Sequence, residues 1–378
     1  MTRVFAFSAA LLLSVATAFG EKKTLEEKYP DGTLKVQREV TVDARGRATQ
    51  DGVETTYFGS GKKQSETTYR SGVKDGPWRE YFYNGKVKIE GNFKNGQKDG
   101  LETVYNPMGE KEGETNYRDG KRNGKRIVWK NGHKTLDSTY DNEQLTGDYQ
   151  EWYGVDHPKL KQHYTAGIQD GLEERWFDDG QKSAETGFTA GRRNGIFRQW
   201  HSNGQLKYEA NYKDGQPEGS FKEWFRDGAL KAEGRYANGA QDGRWREWFE
   251  EQKDRPTKDK DKEPQPKEKH PLASDRNYDH GRPNGKQLSY HENGQKRMEV
   301  SVVEGSREGP WTEWYANGQA RGTGNFFRDD LHGEVSYWYP DGKPWAVNNY
   351  MRGKPSGRWV EWDKDGNVVS DAMRTPKD

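Results

Sequence analysis

The chain contains no cysteine. That excludes disulfides, zinc–thiolate centres, cysteine nucleophiles and a lipid anchor built on a cleavage-site cysteine. It also lacks a charge excess: 62 Lys and Arg stand against 61 Asp and Glu. Holding nucleic acid or an anionic membrane requires a basic surplus, so neither is expected as a partner. Aliphatic material is scarce, with 29% hydrophobic residues, 33% charged residues and a mean hydropathy of −1.32. By those figures alone the chain leans toward disorder. Its 14 Trp, 20 Tyr and 45 Gly argue the opposite, because rings and glycines together point to many short strands and tight turns.

The one long apolar run is at the start. MTRVFAFSAALLLSVATAFG has a single Arg3, an apolar stretch from Val4 to Val15 and an A-x-A site at Ala16–Ala18. This reads as a secretory signal over 1–18, cleaved near Ala18. The mature chain is expected to be exported (periplasmic, envelope-associated or extracellular), with no integral insertion into the membrane.

What the sequence does have is a period. Glycines at 52, 76, 100, 124, 147, 171, 195, 219, 243, 285, 309, 333 and 357 open thirteen copies of one phrase, spaced by 24 except for one step of 23 and one of 42. With the opening glycine as position 0, position 5 is aromatic in every copy: Tyr57, Tyr81, Tyr105, Trp129, Trp152, Trp176, Trp200, Trp224, Trp248, Tyr290, Trp314, Trp338 and Trp362. Positions 8 and 9 are usually Asn-Gly or Asp-Gly, position 17 is usually aromatic and position 20 is mostly Gly. Asn-Gly between short aromatic runs predicts a hairpin with a two-residue type I′ turn. The second glycine pair predicts a wider turn between repeats. The expected fold is all-β: an elongated strip of 24-residue hairpins forming one continuous, twisted, single-layer antiparallel meander.

A two-residue tip makes position 6 face 11, 5 face 12, 4 face 13 and 2 face 15. Alternation then puts positions 2, 4, 6, 11, 13, 15 and 17 on a core face, with small residues at 15 making room for the ring at 2. Positions 5, 12 and 14 fall on the other face. The nine tryptophans of position 5 (Trp129, Trp152, Trp176, Trp200, Trp224, Trp248, Trp314, Trp338, Trp362) are the candidate binding stripe. Their first expected role is packing under lysine stems.

The expected organisation is a capping segment over 19–51 with a degenerate hairpin, repeats over 52–249, a charged Pro-rich insertion over 250–271, further repeats over 272–370 and a tail over 371–378. The insertion carries seven basic and seven acidic residues and four prolines, so it cannot fold alone. Its Asp259, Asp261 and Glu263 lack the glycine a calcium loop needs. Eight histidines are scattered without a ligand pair, and His201 and His291 stand at position 6 in place of Phe or Tyr. GKRNGK, from Gly120, is the repeat's own turn rather than a phosphate loop. The position-4 glutamates repeat with the period, whereas a catalytic acid is normally singular. No enzymatic activity, metal or cofactor is expected.

The phrases GPWREYFYNGKVKIEGNFKNG, GSFKEWFRDGALKAEGRYANG and GPWTEWYANGQARGTGNF resemble the MORN-repeat-variant family (membrane occupation and recognition nexus, second type). Many bacterial members are labelled antitoxins, a role that the resemblance implies. The reading adopted is a non-enzymatic scaffold that binds another protein over a long surface. The alternatives are a carbohydrate or cell-wall binder using the aromatic stripe, and an antitoxin or immunity protein.

Overall fold

The computed structural model describes residues 20–251 and 270–375. The expected signal segment and most of the charged insertion lie outside them. The chain divides into two units, the first ending at Asp156 and the second beginning at His157. Among the described residues there is no helix. Within each unit, successive strands pair antiparallel as a single-sheet meander, one hairpin per repeat.

The first unit opens on Glu21–Lys28 and Leu34–Val42, a hairpin that precedes the first repeat. Its outer strand, EKKTLEEK, is exposed along its length and mostly charged, which blunts an otherwise sticky sheet edge. In the second unit the last strand, Val368–Arg374, runs past the expected end of the repeats at Ser370. Arg374 pairs with Gly357 and lies 5.8 Å over the Trp359 ring, where other copies place the position-17 aromatic.

The two turns of each repeat are the reverse of expectation. In the repeat at Gly76, Gly85 N–H donates to Phe82 O (2.8 Å) and Phe82 N–H to Lys86 O (2.8 Å). Only Gly85 in that tip has positive φ, at 86°. This is a three-residue loop, a type I turn closed by a bulge glycine. The two-residue type I′ turn instead joins consecutive repeats, as at Asn95 (φ 50°) and Gly96 (φ 81°). The 23-residue copy is the exception at the tip. Its deletion leaves Asn131 and Gly132 with φ of 53° and 77° between paired Lys130 and His133, a type I′ tip.

The longer tip moves the register. Positions 2 and 15 pair (Trp78 with Gly91) and positions 4 and 13 pair (Glu80 with Ile89), as expected. Position 5 pairs with 11, not 12 (Tyr81 with Val87), because a bulge follows at Lys88. A bulge of one residue breaks the alternation, so that its two neighbours, which would otherwise share a face, lie on opposite faces. Position 12 therefore joins position 4, and the recurrent glutamates find their partners there: Lys231 to Glu223 at 2.7 Å and Arg321 to Glu313 at 2.8 Å. Position 11 joins the stripe.

The core face is aromatic for a physical reason. With no second layer, each ring must be covered by its neighbours in the same sheet, and only wide, flat side chains can do this. Trp245 is 5% exposed, stacked on Phe221 at 5.0 Å and edge-on to Tyr236 at 5.1 Å. Position 15 is small because the indole lies on it. A Cβ at Gly234 would meet the Trp245 ring at 2.3 Å, and one at Gly91 would meet Trp78 Nε1 at 2.9 Å. Where position 2 is Glu173, the buried carboxylate is fully engaged, accepting from Gln162 (2.6 Å), Gln169 (2.9 Å) and Arg175 (2.6 Å).

Ladders running from repeat to repeat hold the stack. Asn203 at position 8 accepts from Gln205 N–H (3.2 Å) and donates to Arg226 O (2.7 Å) in the next tip. Asn317 does the same with Gln319 N–H (3.1 Å) and Pro340 O (2.8 Å). An aspartate at this position keeps the first bond, as Asp179 does with Gln181 N–H at 2.9 Å, but has no N–H to donate to the next tip's carbonyl. Position 6 adds a second ladder. Tyr315 donates its hydroxyl to Trp338 O (3.0 Å), and His201 and His291 reach Trp224 O and Trp314 O at 3.0 and 2.9 Å through Nε2. A carbonyl only accepts, so Nε2 carries the proton in both histidines. These histidines thus replace a tyrosine hydroxyl. His201→Tyr is expected to leave the unfolding free energy unchanged, and His201→Phe to lower it by about 1 kcal/mol, read by urea melts.

Candidate functional site

The face opposite the core carries positions 3, 5, 11 and 14. All thirteen position-5 rings are half-buried, none of them lost in the core and none fully exposed. The first unit presents Trp129 and Trp152 with Tyr57, Tyr81 and Tyr105. The second presents Trp176, Trp200, Trp224, Trp248, Trp314, Trp338 and Trp362 with Tyr290.

Tyrosine and tryptophan are held differently at this position. Two of the tyrosines donate their hydroxyl to the position-14 glutamate of the preceding repeat: Tyr105 to Glu90 at 2.8 Å, and Tyr81 to Glu66 in a shorter contact. Burial and that hydrogen bond push the Tyr81 phenol up to about 12. Several tryptophans are capped by a cation instead. Lys134 lies over Trp152 (4.9 Å), Lys182 over Trp200 (5.9 Å) and Lys296 over Trp314 (5.6 Å), in each case the position-11 lysine of the preceding repeat. Arg246 of position 3 covers Trp248 at 5.6 Å. The expected cover from position 12 is thus supplied by position 11, as the bulge requires.

The cations are fixed by carboxylates. Glu174, Lys182, Glu185, Arg198 and Glu209 form one chain across two consecutive repeats, with contacts of 2.7, 3.1, 2.9 and 2.7 Å. Burial pushes the Glu185 carboxyl up, but hydrogen bonds and charge from Arg198 and Lys182 outweigh it and hold the group below its ordinary 4.5. The sign follows from linkage: the contribution is complete above 4.5 and is lost as pH falls through the lower folded value. Glu185→Gln is expected to flatten the acid limb of a stability profile measured from pH 6 to pH 3, by at most about 1 kcal/mol for so exposed a partner as Arg198.

A second arrangement carries no signature in the sequence pattern. Asp227, Glu251 and His270 place one ligand-type atom each within 4.8 Å of one another. Asp227 belongs to one repeat tip, while Glu251 and His270 stand near the two ends of the insertion, so no spacing in the sequence connects them. Asp242, Asp279 and His280 form a comparable but more exposed group. A concavity at Val53, Glu66, Thr68, Pro77, Trp78 and Arg79 is open to solvent.

Six segments match the family model described as MORN repeat variant: 50–71, 74–95, 193–214, 283–303, 307–327 and 331–351. Each begins two residues before an opening glycine, so the matches share one register. No curated protein matches the chain. Among solved structures, the crystal structure of TcdB2-TccC3-TEV is similar at 12% identity, with 97% of this chain and 24% of that chain covered and a TM-score of 0.15. The chain therefore spans about a quarter of that chain's length.

Proposed function

We propose that this chain of MORN-variant repeats is a non-enzymatic binding protein, exported by a cleaved signal, that holds an extended protein partner along the face of positions 3, 5, 11 and 14. One observation carries the reading. The same half-exposed ring with fixed charges beside it recurs in repeat after repeat, which suits a long partner read at intervals rather than one small substrate. The same recurrence speaks against a single catalytic centre.

Protein is favoured over glycan by the cation caps. A sugar stacks on an uncovered ring face, and Trp152, Trp200, Trp248 and Trp314 have a lysine or arginine over theirs. Planar rings beside paired charges suit a peptide that supplies its own carboxylates and cations. No observation in the structure favours the antitoxin reading.

The test uses the full chain and a Trp200→Ala/Trp224→Ala/Trp248→Ala variant shown by circular dichroism to keep its sheet. Quantitative capture from an envelope fraction is expected to lose one specific protein with the variant, while a glycan array stays blank for both. Glycan binding that disappears with the three rings would overturn the protein reading. Recovery of the chain from the cytoplasm with residues 1–18 intact would overturn export.

A further inference from the structure

His270 stands at the exit of the charged insertion and is nine-tenths buried, with 9% of its side chain exposed. Its ring stacks on Phe225 at 5.0 Å and 19°. Both ring nitrogens face acceptors: Nδ1 lies 3.1 Å from Phe249 O, and Nε2 lies 2.8 Å from Asp227 Oδ2. The carbonyl cannot donate, so Nδ1 carries the proton. A neutral imidazole has only one proton, and Nε2 is left pointing its lone pair at a carboxylate oxygen.

Two acceptors in contact need a positive charge between them. The Asp227 carboxylate is also oriented from outside, since its other oxygen accepts from Ala229 N–H at 3.0 Å. Glu251 brings a third ligand atom, a carboxylate oxygen, within 4.8 Å of the other two. An imidazole fixed through Nδ1 by a backbone carbonyl and a carboxylate fixed by a backbone amide are the outer-shell supports that metal ligands use.

We propose that Asp227, Glu251 and His270 bind a divalent cation, Zn²⁺ by the chemistry of one imidazole nitrogen and two carboxylates. Bonds of about 2.1 Å hold tetrahedral ligands about 3.4 Å apart, so Asp227 Oδ2 withdraws from Nε2 by about 0.6 Å when the ion enters. Water completes the fourth position. The ion ties Glu251 and His270, near the two ends of the insertion, to Asp227 in the tip of the preceding repeat; at the base of the insertion Phe249 N–H already donates to Pro271 O at 2.9 Å. It would act as a clasp closing the base of the excursion.

The experiment is zinc titration of the full chain, stripped with EDTA and dialysed, against a chromophoric chelator at pH 7.5. One tight equivalent is expected. Asp227→Asn, Glu251→Gln and His270→Gln should each weaken it by about tenfold or more, while His201→Gln and His291→Gln leave it unchanged. Thermal melts should rise with zinc in the parent chain and not in Glu251→Gln, whose exposed side chain makes loss of folding no explanation. If the parent takes up no zinc, Nε2 is satisfied by a second proton alone and the proposal fails. It also fails if uptake is the same in the Glu251→Gln and His270→Gln variants.

Discussion

Trp245→Ala should remove about 3–5 kcal/mol from the stability of the repeats around it. The indole is 5% exposed, stacks on Phe221, meets Tyr236 edge-on and donates its N–H to Arg235 O at 3.0 Å. Its loss opens the floor at Gly234 and leaves that carbonyl without its side-chain donor. Repeats touch only their neighbours, so the damage should stay local. Amide exchange is expected to accelerate in Leu230–Ala237 and Gly243–Trp248 and to remain slow in Ser306–Trp314.

The same pair offers a sharper check. Gly234→Ala adds a methyl 2.3 Å from the Trp245 ring and is expected to cost about 1–3 kcal/mol by overpacking. In the double variant the ring is gone and the methyl has room, so the combined cost should fall well short of the sum. Additive costs would mean that position 15 is small for some reason other than the indole lying on it.

Period, strand class and the pairing of positions 2 and 15 were legible in the sequence, because Trp78 opposite Gly91 and Phe221 opposite Gly234 are a size complement visible in the letters. The turn types were not. Asn-Gly occurs in both turns, and Asn84-Gly85 differs from Asn95-Gly96 only in whether Asn itself takes positive φ. That depends on how many residues the flanking strands leave for the loop, which is settled by pairing along the sheet. The misassigned turn carried the faces with it: Lys182 reads as a core-face residue until the bulge turns it onto Trp200. The aromatic stripe survived the error because position 5 lies before the tip, where the alternation from position 2 is unbroken. The cluster of Asp227, Glu251 and His270 had no sequence signal, since it joins a tip to both ends of an insertion.

Gly76→Val should be the most damaging glycine substitution in its repeat, and Gly85→Asn among the mildest. Both glycines have positive φ, 125° and 86°, and the letters do not tell them apart. Gly85 sits at an open tip, where a Cβ would have no neighbour within 4 Å, and Asn adopts that region readily. The sheet already uses this tolerance, since Asp156 fills the equivalent tip position with φ 56°. Gly76 lies where Asp75, Gly76 and Pro77 together stand opposite Thr68 alone, between the pairs Thr67–Trp78 and Tyr69–Lys74. A Cβ there meets Thr68 Cβ and Cγ2 at 3.0 Å. A β-branched residue adds backbone strain of about 1–3 kcal/mol to that contact. The bulge is what lets one repeat's position 2 return to face the previous repeat's position 15. Straightening it would shift Trp78 off its partner and Tyr81 off Glu66, so core and stripe fail together. Urea melts should show the loss, and the phenol of Tyr81, freed from Glu66, should titrate nearer its ordinary 10 than about 12. A Gly76→Val chain with parental stability and an unmoved Tyr81 titration would show that the opening glycine is not what sets the register.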